Sequence, residues 1–304
     1  MEKVSLIMTV RNEAVTLPRL LQSIEAQTRL PDEVVIVDGG STDNTLTVLQ
    51  TWIPSFPVLL LEKRGNRSIG RNEAIAHAKH TIIAITDAGC TLHPEWLAEL
   101  VTPFAKGADV VAGFYRSDAN SVFEKAAAAY MLVMPDHVDA TTFLPATRSM
   151  AVKKSMWEKV GRFDERYSHN EDYVFAHALR KAGAKIIFAS KAIVVWQPPS
   201  DWSSFAKQAF RFAIGDAEAG ILRPKVMLVY ARYVFLCLIA YYSPFLAALL
   251  LLTYVVWSVK KNYRYVNNIE AVNLLPAMQL TTDFTVMIGT AIGLIKRGMY
   301  AITH

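Results

Sequence analysis

Apolar residues in the first 200 positions come in short unbroken runs, separated by longer stretches of helical spacing. The clearest runs are Val4-Ser-Leu-Ile-Met-Thr-Val10, Val34-Val-Ile-Val-Asp38 and Thr81-Ile-Ile-Ala-Ile-Thr-Asp87. A run with no polar face reads as a strand buried on both sides, as in a parallel sheet. Weaker runs predict strands at 58–61, 109–114, 150–152, 185–188 and 193–196. Between them the spacing predicts helices over 17–27, about 43–52, 68–78, 95–106, 120–134, 154–160 and 171–182. Thr16 can cap the first and Ser41 or Thr42 the second, while Gly183 supplies a C-terminal stop. Strand–helix alternation of this kind predicts an α/β fold: a mostly parallel sheet with helices on both faces.

The pattern changes near residue 225. Residues 226–259 carry almost no charge, Arg232 excepted, and Ser243-Pro244 interrupts them near the middle. One spanning helix needs roughly 20 apolar residues. The segment is therefore one kinked helix or a hairpin over about 226–259. The hairpin is favoured because it keeps Lys260, Lys261 and Arg264 on the cytoplasmic side. Residues 271–295 are apolar but broken by Asn273, Pro276, Gln279 and Asp283, which suits an interfacial or a spanning helix. Gly289 and Gly293 form a small-xxx-small pair, a packing signal. The expected division is a catalytic domain at 1–225 and a membrane-associated helical segment at 226–304.

Composition agrees with that division. The chain of 304 residues is 52% apolar, and its mean hydropathy of +0.22 exceeds that of an ordinary soluble enzyme. The formal charge of +5 comes partly from basic residues flanking the apolar runs. That placement points to a membrane, and no basic stripe with interleaved aromatics points to nucleic acid. Two cysteines, Cys90 and Cys237, fit a reducing compartment. The chain opens directly on a strand, without a signal-peptide pattern. The first domain is expected at the cytoplasmic face of the cell membrane, attached by the C-terminal helices.

Three strands bring polar groups to one sheet edge. Asp87 and Asp38 end two of them, and the first runs into Arg11-Asn-Glu13. Ligands of open α/β sheets bind at that edge, so a polar, phosphorylated ligand is expected. Taken alone, each residue has a second reading. Asp38 before Gly39-Gly40 is a ligand carboxylate or an Asx-turn. Arg71 is a phosphate or base partner or a surface arginine. Asp172 is a general base or an ordinary helix-N-terminal acid.

Taken in order, these motifs resemble family 2 glycosyltransferases of the GT-A fold. The set is Thr9-Val-Arg-Asn-Glu13, Val37-Asp-Gly-Gly-Ser-Thr-Asp43, Gly70-Arg-Asn72, Thr86-Asp-Ala-Gly89, Gly161-Arg-Phe-Asp-Glu165, Asn170-Glu-Asp172 and Gln208-Ala-Phe-Arg211. It covers roughly residues 4–220. The resemblance implies an inverting hexosyltransferase with a nucleotide-sugar donor and a lipid-linked or membrane-proximal acceptor. It implies donor contacts from Thr9, Arg11, Glu13, Asp38, Arg71, Asn72 and Asp87. Asp172 would be the catalytic base, kept ionised by the helix dipole. Glu171, Gln208, Arg211 and Arg148 would meet the acceptor or the diphosphate. Asp87 would also bind Mg²⁺ or Mn²⁺, as the first carboxylate of the family's Asp-x-Asp pair. Gly89 stands where the second carboxylate belongs, and Trp196-Gln197 where many relatives place a histidine. The metal is therefore expected to bind weakly and with help from the nucleotide.

Three rivals remain on the sequence. A non-catalytic nucleotide-sugar-binding or scaffold protein fits the loss of Gly89's carboxylate, but not Asp172. A sugar-phosphate nucleotidyltransferase would want a glycine-rich loop after the first strand, where Thr9-Val-Arg-Asn-Glu13 stands. A processive synthase would want more spanning helices than this chain can supply.

Overall fold

The computed structural model describes residues 2–303. The chain divides into two compact units, one of residues 1–116 and 136–197 and the other of residues 117–135 and 198–304.

The first unit is built on β1 (Val4–Val10), β2 (Glu33–Asp38), β3 (Val58–Glu62), β4 (Ile82–Ile85), β5 (Cys90–Leu92), β6 (Val110–Ser117), β7 (Met150–Lys153) and β8 (Ile186–Trp196). Among the described residues they form one sheet in the order β3-β2-β1-β4-β7-β6-β8-β5. The long apolar runs became the central strands. β1 pairs in parallel with both β2 and β4, and β2 with β3. Beyond β4 the direction changes, and β7 runs antiparallel to β4 and to β6. Local pattern predicts strand and helix but not direction, which depends on how long connections return the chain.

Alternate residues of β1 face opposite cores, as the two-residue period of a strand requires. Leu6 and Met8 join one core with Leu17, Leu20 and Ile24 of α1 (Leu17–Glu25) and Trp96 and Leu97 of α4 (Trp96–Val101). Ile7 joins the other, with Ile75 of α3 (Arg67–His77), Trp157 of α6 (Lys154–Lys159) and Phe175 and Leu179 of α7 (Glu171–Lys181). Helices thus cover both faces, as expected.

Two element predictions change. The strands expected at 185–188 and 193–196 are one strand, β8, continuous through exposed Ser190 and Lys191. β5 has three residues, too short to carry a pattern, and exists because it pairs antiparallel with β8.

The second unit contains α5 (Val122–Met131), α8 (Trp202–Glu218), α9 (Pro224–Tyr242), α10 (Pro244–Val266) and α11 (Ala271–Thr303). Ser121 and Glu124 close α5 with a reciprocal capping box. The apolar tail makes separate helices at the Ser243-Pro244 break. Arg232 of α9 donates to the Tyr254 hydroxyl of α10, and both residues lie eleven positions from Ser243, so α9 and α10 form an antiparallel hairpin. Three helices, Pro224–Tyr242, Pro244–Val266 and Ala271–Met299, are long and apolar enough to cross a membrane. α11 also packs along α8. A Cβ added at Gly289 would lie 2.8 Å from the Ala213 Cβ and the Phe210 carbonyl oxygen; one at Gly293 would lie 2.7 Å from the Ala217 Cβ and the Ile214 carbonyl oxygen. The small-xxx-small pair is therefore the contact surface of α11 on α8.

One glycine of the sheet makes a test. A Cβ at Gly113 would fall on Ser149 Oγ and within 2.7 Å of the Ala192 carbonyl oxygen. Ser149 accepts from the buried Trp96 Nε1 (2.9 Å) and donates to Ala192 (3.0 Å). Gly113→Ala should cost about 1–3 kcal/mol by overpacking, read as a lower melting temperature in detergent. An unchanged melting curve would show that Ser149 can move without loss.

Candidate functional site

β1, β2 and β4 are parallel and in register, so their carboxyl ends open on the same edge. Two groups of polar residues gather there. The first joins the loops after β1 and β2. Asp38 is fully buried. Its Oδ1 accepts from the Gly40 and Ser41 backbone N–H groups at 2.8 Å each, and its Oδ2 from Ser41 Oγ at 2.5 Å. Asn12, at φ +56°, accepts from the Thr42 N–H at 2.8 Å, and its own N–H donates to Ser41 Oγ. Glu13 accepts from Thr16 Oγ1 and donates its N–H to Thr45 Oγ1. Asp38 thus forms the Asx-turn that was its second reading, and it fixes the loop next to exposed Arg11. Thr9 packs its methyl group where a Cβ on Gly70 would stand.

The second group centres on Arg71, which is only 2% exposed. Nη2 donates to Asp87 Oδ1 at 2.8 Å and Nη1 to Glu171 Oε1 at 2.5 Å. A buried guanidinium needs such partners, because an unpaired charge away from water is strongly disfavoured. Burial opposes the Arg71 charge, but Asp87 and Glu171 outweigh it and hold the group protonated. Burial likewise pushes the Asp87 carboxyl upward, while Arg71, Arg67 and Arg148 pull harder and keep it below the usual carboxylate range.

Asn72 was expected beside Arg71 on the donor; in the structure its amide is engaged by protein groups. Its amide donates to the Phe163 carbonyl (2.8 Å) and Glu165 (2.9 Å) and accepts from the Phe163 N–H (3.0 Å) and Trp157 Nε1 (3.1 Å). All four hydrogen-bonding positions of the amide are filled, so Asn72 anchors the 157–165 segment.

Glu171 and Asp172 open α7 after Asn170, which turns the chain at φ +56°. The expectation that the helix dipole lowers the Asp172 pKa is overturned in direction. Burial and the adjacent Glu171 charge raise it, and Arg71 and Arg148 offset them only in part. A dipole acts over the first turn at a solvated surface, whereas desolvation acts on the whole charge.

Arg148 lies between these groups and the far end of β8. Its carbonyl accepts from Thr86 Oγ1 at 3.0 Å. Its guanidinium stacks over Tyr115 (4.9 Å to the ring centre) and Trp196 (5.2 Å). Nη1 is buried and has no hydrogen-bond partner among the described residues. Sequence reading missed Tyr115 and Arg67 as parts of the site. Arg67 opens α3 four positions before Arg71, one turn away, a spacing that could have flagged it. Tyr115 carried no local signal. Gln208 and Arg211 sit three apart on α8, in the second unit, with Gln208 half-buried and Arg211 exposed.

The donor set for a metal does not fit a resident site. No group of three His, Cys, Asp or Glu that could hold an ion occurs among the described residues. Asp87 already binds Arg71, and Gly89 contributes no side chain. Trp196, in place of a histidine, presents its ring to Arg148. The expected Mg²⁺ or Mn²⁺ would have one carboxylate, shared with a guanidinium.

Comparison with known proteins follows the same lines. Residues 5–180 match Glycosyl transferase family 2. Glycosyltransferase AglE of Haloferax volcanii is 24% identical over 228 residues, covering 72% of this chain and 74% of that protein. The undecaprenyl-phosphate 4-deoxy-4-formamido-L-arabinose transferase of Yersinia enterocolitica is 29% identical over 140 residues, 44% of this chain and 43% of its own length. Among solved structures, the mannosyltransferase PcManGT from Pyrobaculum calidifontis, in complex with GDP-Man and Mn²⁺, superposes with a TM-score of 0.72. It is 21% identical, and the match covers 97% of this chain and 87% of that one. That likeness carries the GT-A fold.

The Asp172 environment gives a pH prediction. In Glu171→Gln the neighbouring negative charge is gone while an acceptor for Arg71 remains. Asp172 should then ionise at lower pH, so the acid limb of kcat/KM should move to lower pH. An acid limb that stays in place would remove either Glu171 or Asp172 from the titration.

Proposed function

This chain belongs to glycosyl transferase family 2, and on that premise we propose that it transfers a hexosyl group from a nucleotide sugar to an acceptor hydroxyl or phosphate, with inversion. The observation that carries the reading is Asp172. It is a carboxylate of raised proton affinity at the start of α7, next to the Arg71–Asp87–Glu171 network. A base must hold a proton by the end of the step, and a desolvated carboxylate does so better than one in water. The acceptor oxygen attacks the anomeric carbon and loses its proton to Asp172. The anomeric C–O bond breaks on the opposite face, and its electron pair leaves with the nucleoside diphosphate.

The loops after β1 and β2 would receive the nucleotide. Arg11, Glu13 and Thr9 line that edge, and Asp38, buried and hydrogen-bonded through both oxygens, holds in shape the loop that would meet ribose or base. Arg71 would act on the donor through Asp87, which it holds in place. Gln208 and Arg211 are proposed for the acceptor or the diphosphate.

Residues 1–225 would carry the chemistry and residues 226–304 would attach it to the cytoplasmic face of a membrane. The α9–α10 hairpin supports this attachment. Its outer surface exposes Val234, Phe235, Leu238, Tyr241, Tyr242 and Phe245, a patch larger than soluble proteins leave uncovered. Both ends of the hairpin are basic, with Arg223 and Lys225 at one and Lys260, Lys261 and Arg264 at the other, as cytoplasmic ends are. An acceptor carried by a lipid fits that placement. The undecaprenyl-phosphate transferase among the relatives is named for one.

Asp172→Asn should lower transfer by about 10²–10⁴-fold while leaving nucleotide affinity close to wild type. Turnover within a few-fold of wild type would exclude Asp172 as the base.

A chain cut after Lys225 should no longer float with liposomes, yet still bind nucleotide. Both cores flanking the sheet come from residues before 198. The cut chain needs mild detergent, because it uncovers Phe205, which packs with Val266, Ala271, Leu275 and Met278. Flotation equal to the full chain would place the membrane contact before residue 225.

A further inference from the structure

The charges at the sheet edge form ion pairs only in part. Asp87 and Glu171 share Arg71. Arg148 is different. Two aromatic rings fix its guanidinium, and it makes neither a hydrogen bond nor an ion pair among the described residues. Its backbone is tied to Thr86, the residue before Asp87. Its Trp196 shelf pairs across the sheet with Cys90, the residue after Gly89. The guanidinium is thereby held beside the Asp87-Ala88-Gly89 turn. Stacking holds the planar fork in place, and its buried Nη1 has lost water without gaining an acceptor, so an anionic oxygen there would be favoured. Held by two rings and hydrogen-bonded to no carboxylate, though Asp87 and Asp172 attract it, the guanidinium is open to an anionic ligand.

We propose that Arg148 neutralises the leaving diphosphate in place of a resident divalent cation. The proposal rests on the glycosyltransferase reading above. The chemistry balances without a metal. The anomeric C–O electron pair passes to the terminal phosphate oxygen, whose new charge is met by the Arg148 N–H groups, and the acceptor proton goes to Asp172. The same residues explain the two departures from the family's metal pattern. Gly89 removes one carboxylate that would compete for the guanidinium. Trp196 replaces a ligand with a stacking surface. Arg67 at the start of α3 adds a second positive charge facing Asp87.

The test is calorimetric titration of the full chain in detergent with UDP and with GDP, in excess EDTA and again with Mg²⁺ or Mn²⁺. The diphosphate that binds should do so in EDTA within about threefold of its affinity with metal, the tolerance being under 1 kcal/mol. Arg148→Gln should weaken it by about 10- to 100-fold in both conditions, the loss of a charged hydrogen bond or two. Tyr115 and Trp196 lose a stacking partner in the variant, so it should stay folded with a melting temperature slightly below that of wild type. Gly89→Asp is an independent arm. A Cβ there meets nothing within 4 Å, and the second carboxylate should make binding respond to Mn²⁺. The proposal fails if wild type binds only when metal is present, or if Arg148→Gln binds as wild type does. It also fails if Gly89→Asp remains indifferent to Mn²⁺. Wild type that binds neither diphosphate in any condition would instead overturn the glycosyltransferase reading, and the proposal with it.

Discussion

The ion triad of Arg71 with Asp87 and Glu171 is the constraint from which the site takes its shape. A guanidinium with 2% exposure can stay in the interior only while both carboxylates remain within hydrogen-bonding distance. One carboxylate follows β4 and the other opens α7, and the Arg71–Glu171 pair ties α3 to the start of α7 across 100 residues of sequence. Asn72, the next residue, fixes the 157–165 segment through its amide. Asn66 and Ser68 reach the same loop through the carbonyls of Glu165 and Tyr167. One short stretch of α3 thus orients β4, α7 and the loop before it. Asp172 inherits its position from this arrangement rather than from contacts of its own, since the hydrogen bond it receives is from the adjacent Tyr173 N–H.

What the sequence revealed and what it hid divide along physical lines. β1, β2 and β4 were legible because burial on both faces demands unbroken apolar runs. The sheet edge was legible because polar residues ending such runs have one place to go. The apolar hairpin was legible from length, hydropathy and a proline. Hidden were features that depend on two distant segments meeting. Arg71 read as a ligand contact and proved to be an interior ion pair, because nothing local states that Glu171 faces it. Asn72 shared a motif with Arg71 and turned out to bind protein backbone. The Asp172 pKa was misjudged because a helix-N-terminal position is visible in sequence and its burial is not. Arg148 was legible only as a residue that would meet the acceptor or the diphosphate, while its stacking on Tyr115 and Trp196 was not.

The apolar tail shows the same separation of composition from contact. Asp283 read as an interruption in an apolar helix. In the structure it is almost fully buried and accepts from Arg232 (3.2 Å), Tyr233 (3.0 Å), Tyr254 (2.5 Å) and Gln279 (2.9 Å). Ionisable groups in apolar helices persist when they pair inside the bundle, and here one carboxylate ties α11 to both arms of the hairpin. α11 also lies along α8, which carries Lys207, Arg211, Asp216 and Glu218. Lys296 reaches Glu218 at 3.0 Å. A helix that spends one face on so charged a partner is apolar for packing as much as for lipid. Its hydropathy therefore overstates its case for spanning, whereas α9 has no residue buried, so its contacts with α10 and α11 do not account for its apolar composition.

For Asp172 in its proposed role as base, the neighbouring charges explain why a raised proton affinity need not leave it protonated and idle. Glu171 and Asp87 push its pKa up, Arg71 and Arg148 pull it down, and burial sets the starting point. The two carboxylates are already committed to Arg71, so their repulsion of Asp172 is partly cancelled by the same guanidinium. Arg148 makes no such ion pair, and its attraction is divided between Asp87 and Asp172. A bound diphosphate would draw on that attraction, and Asp172 would then hold a proton more firmly than before. The donor would therefore strengthen the base at the moment when an acceptor hydroxyl must give up its proton. Desolvation alone would supply a fixed proton affinity. An unpaired arginine shared between leaving group and base makes that affinity respond to what is bound.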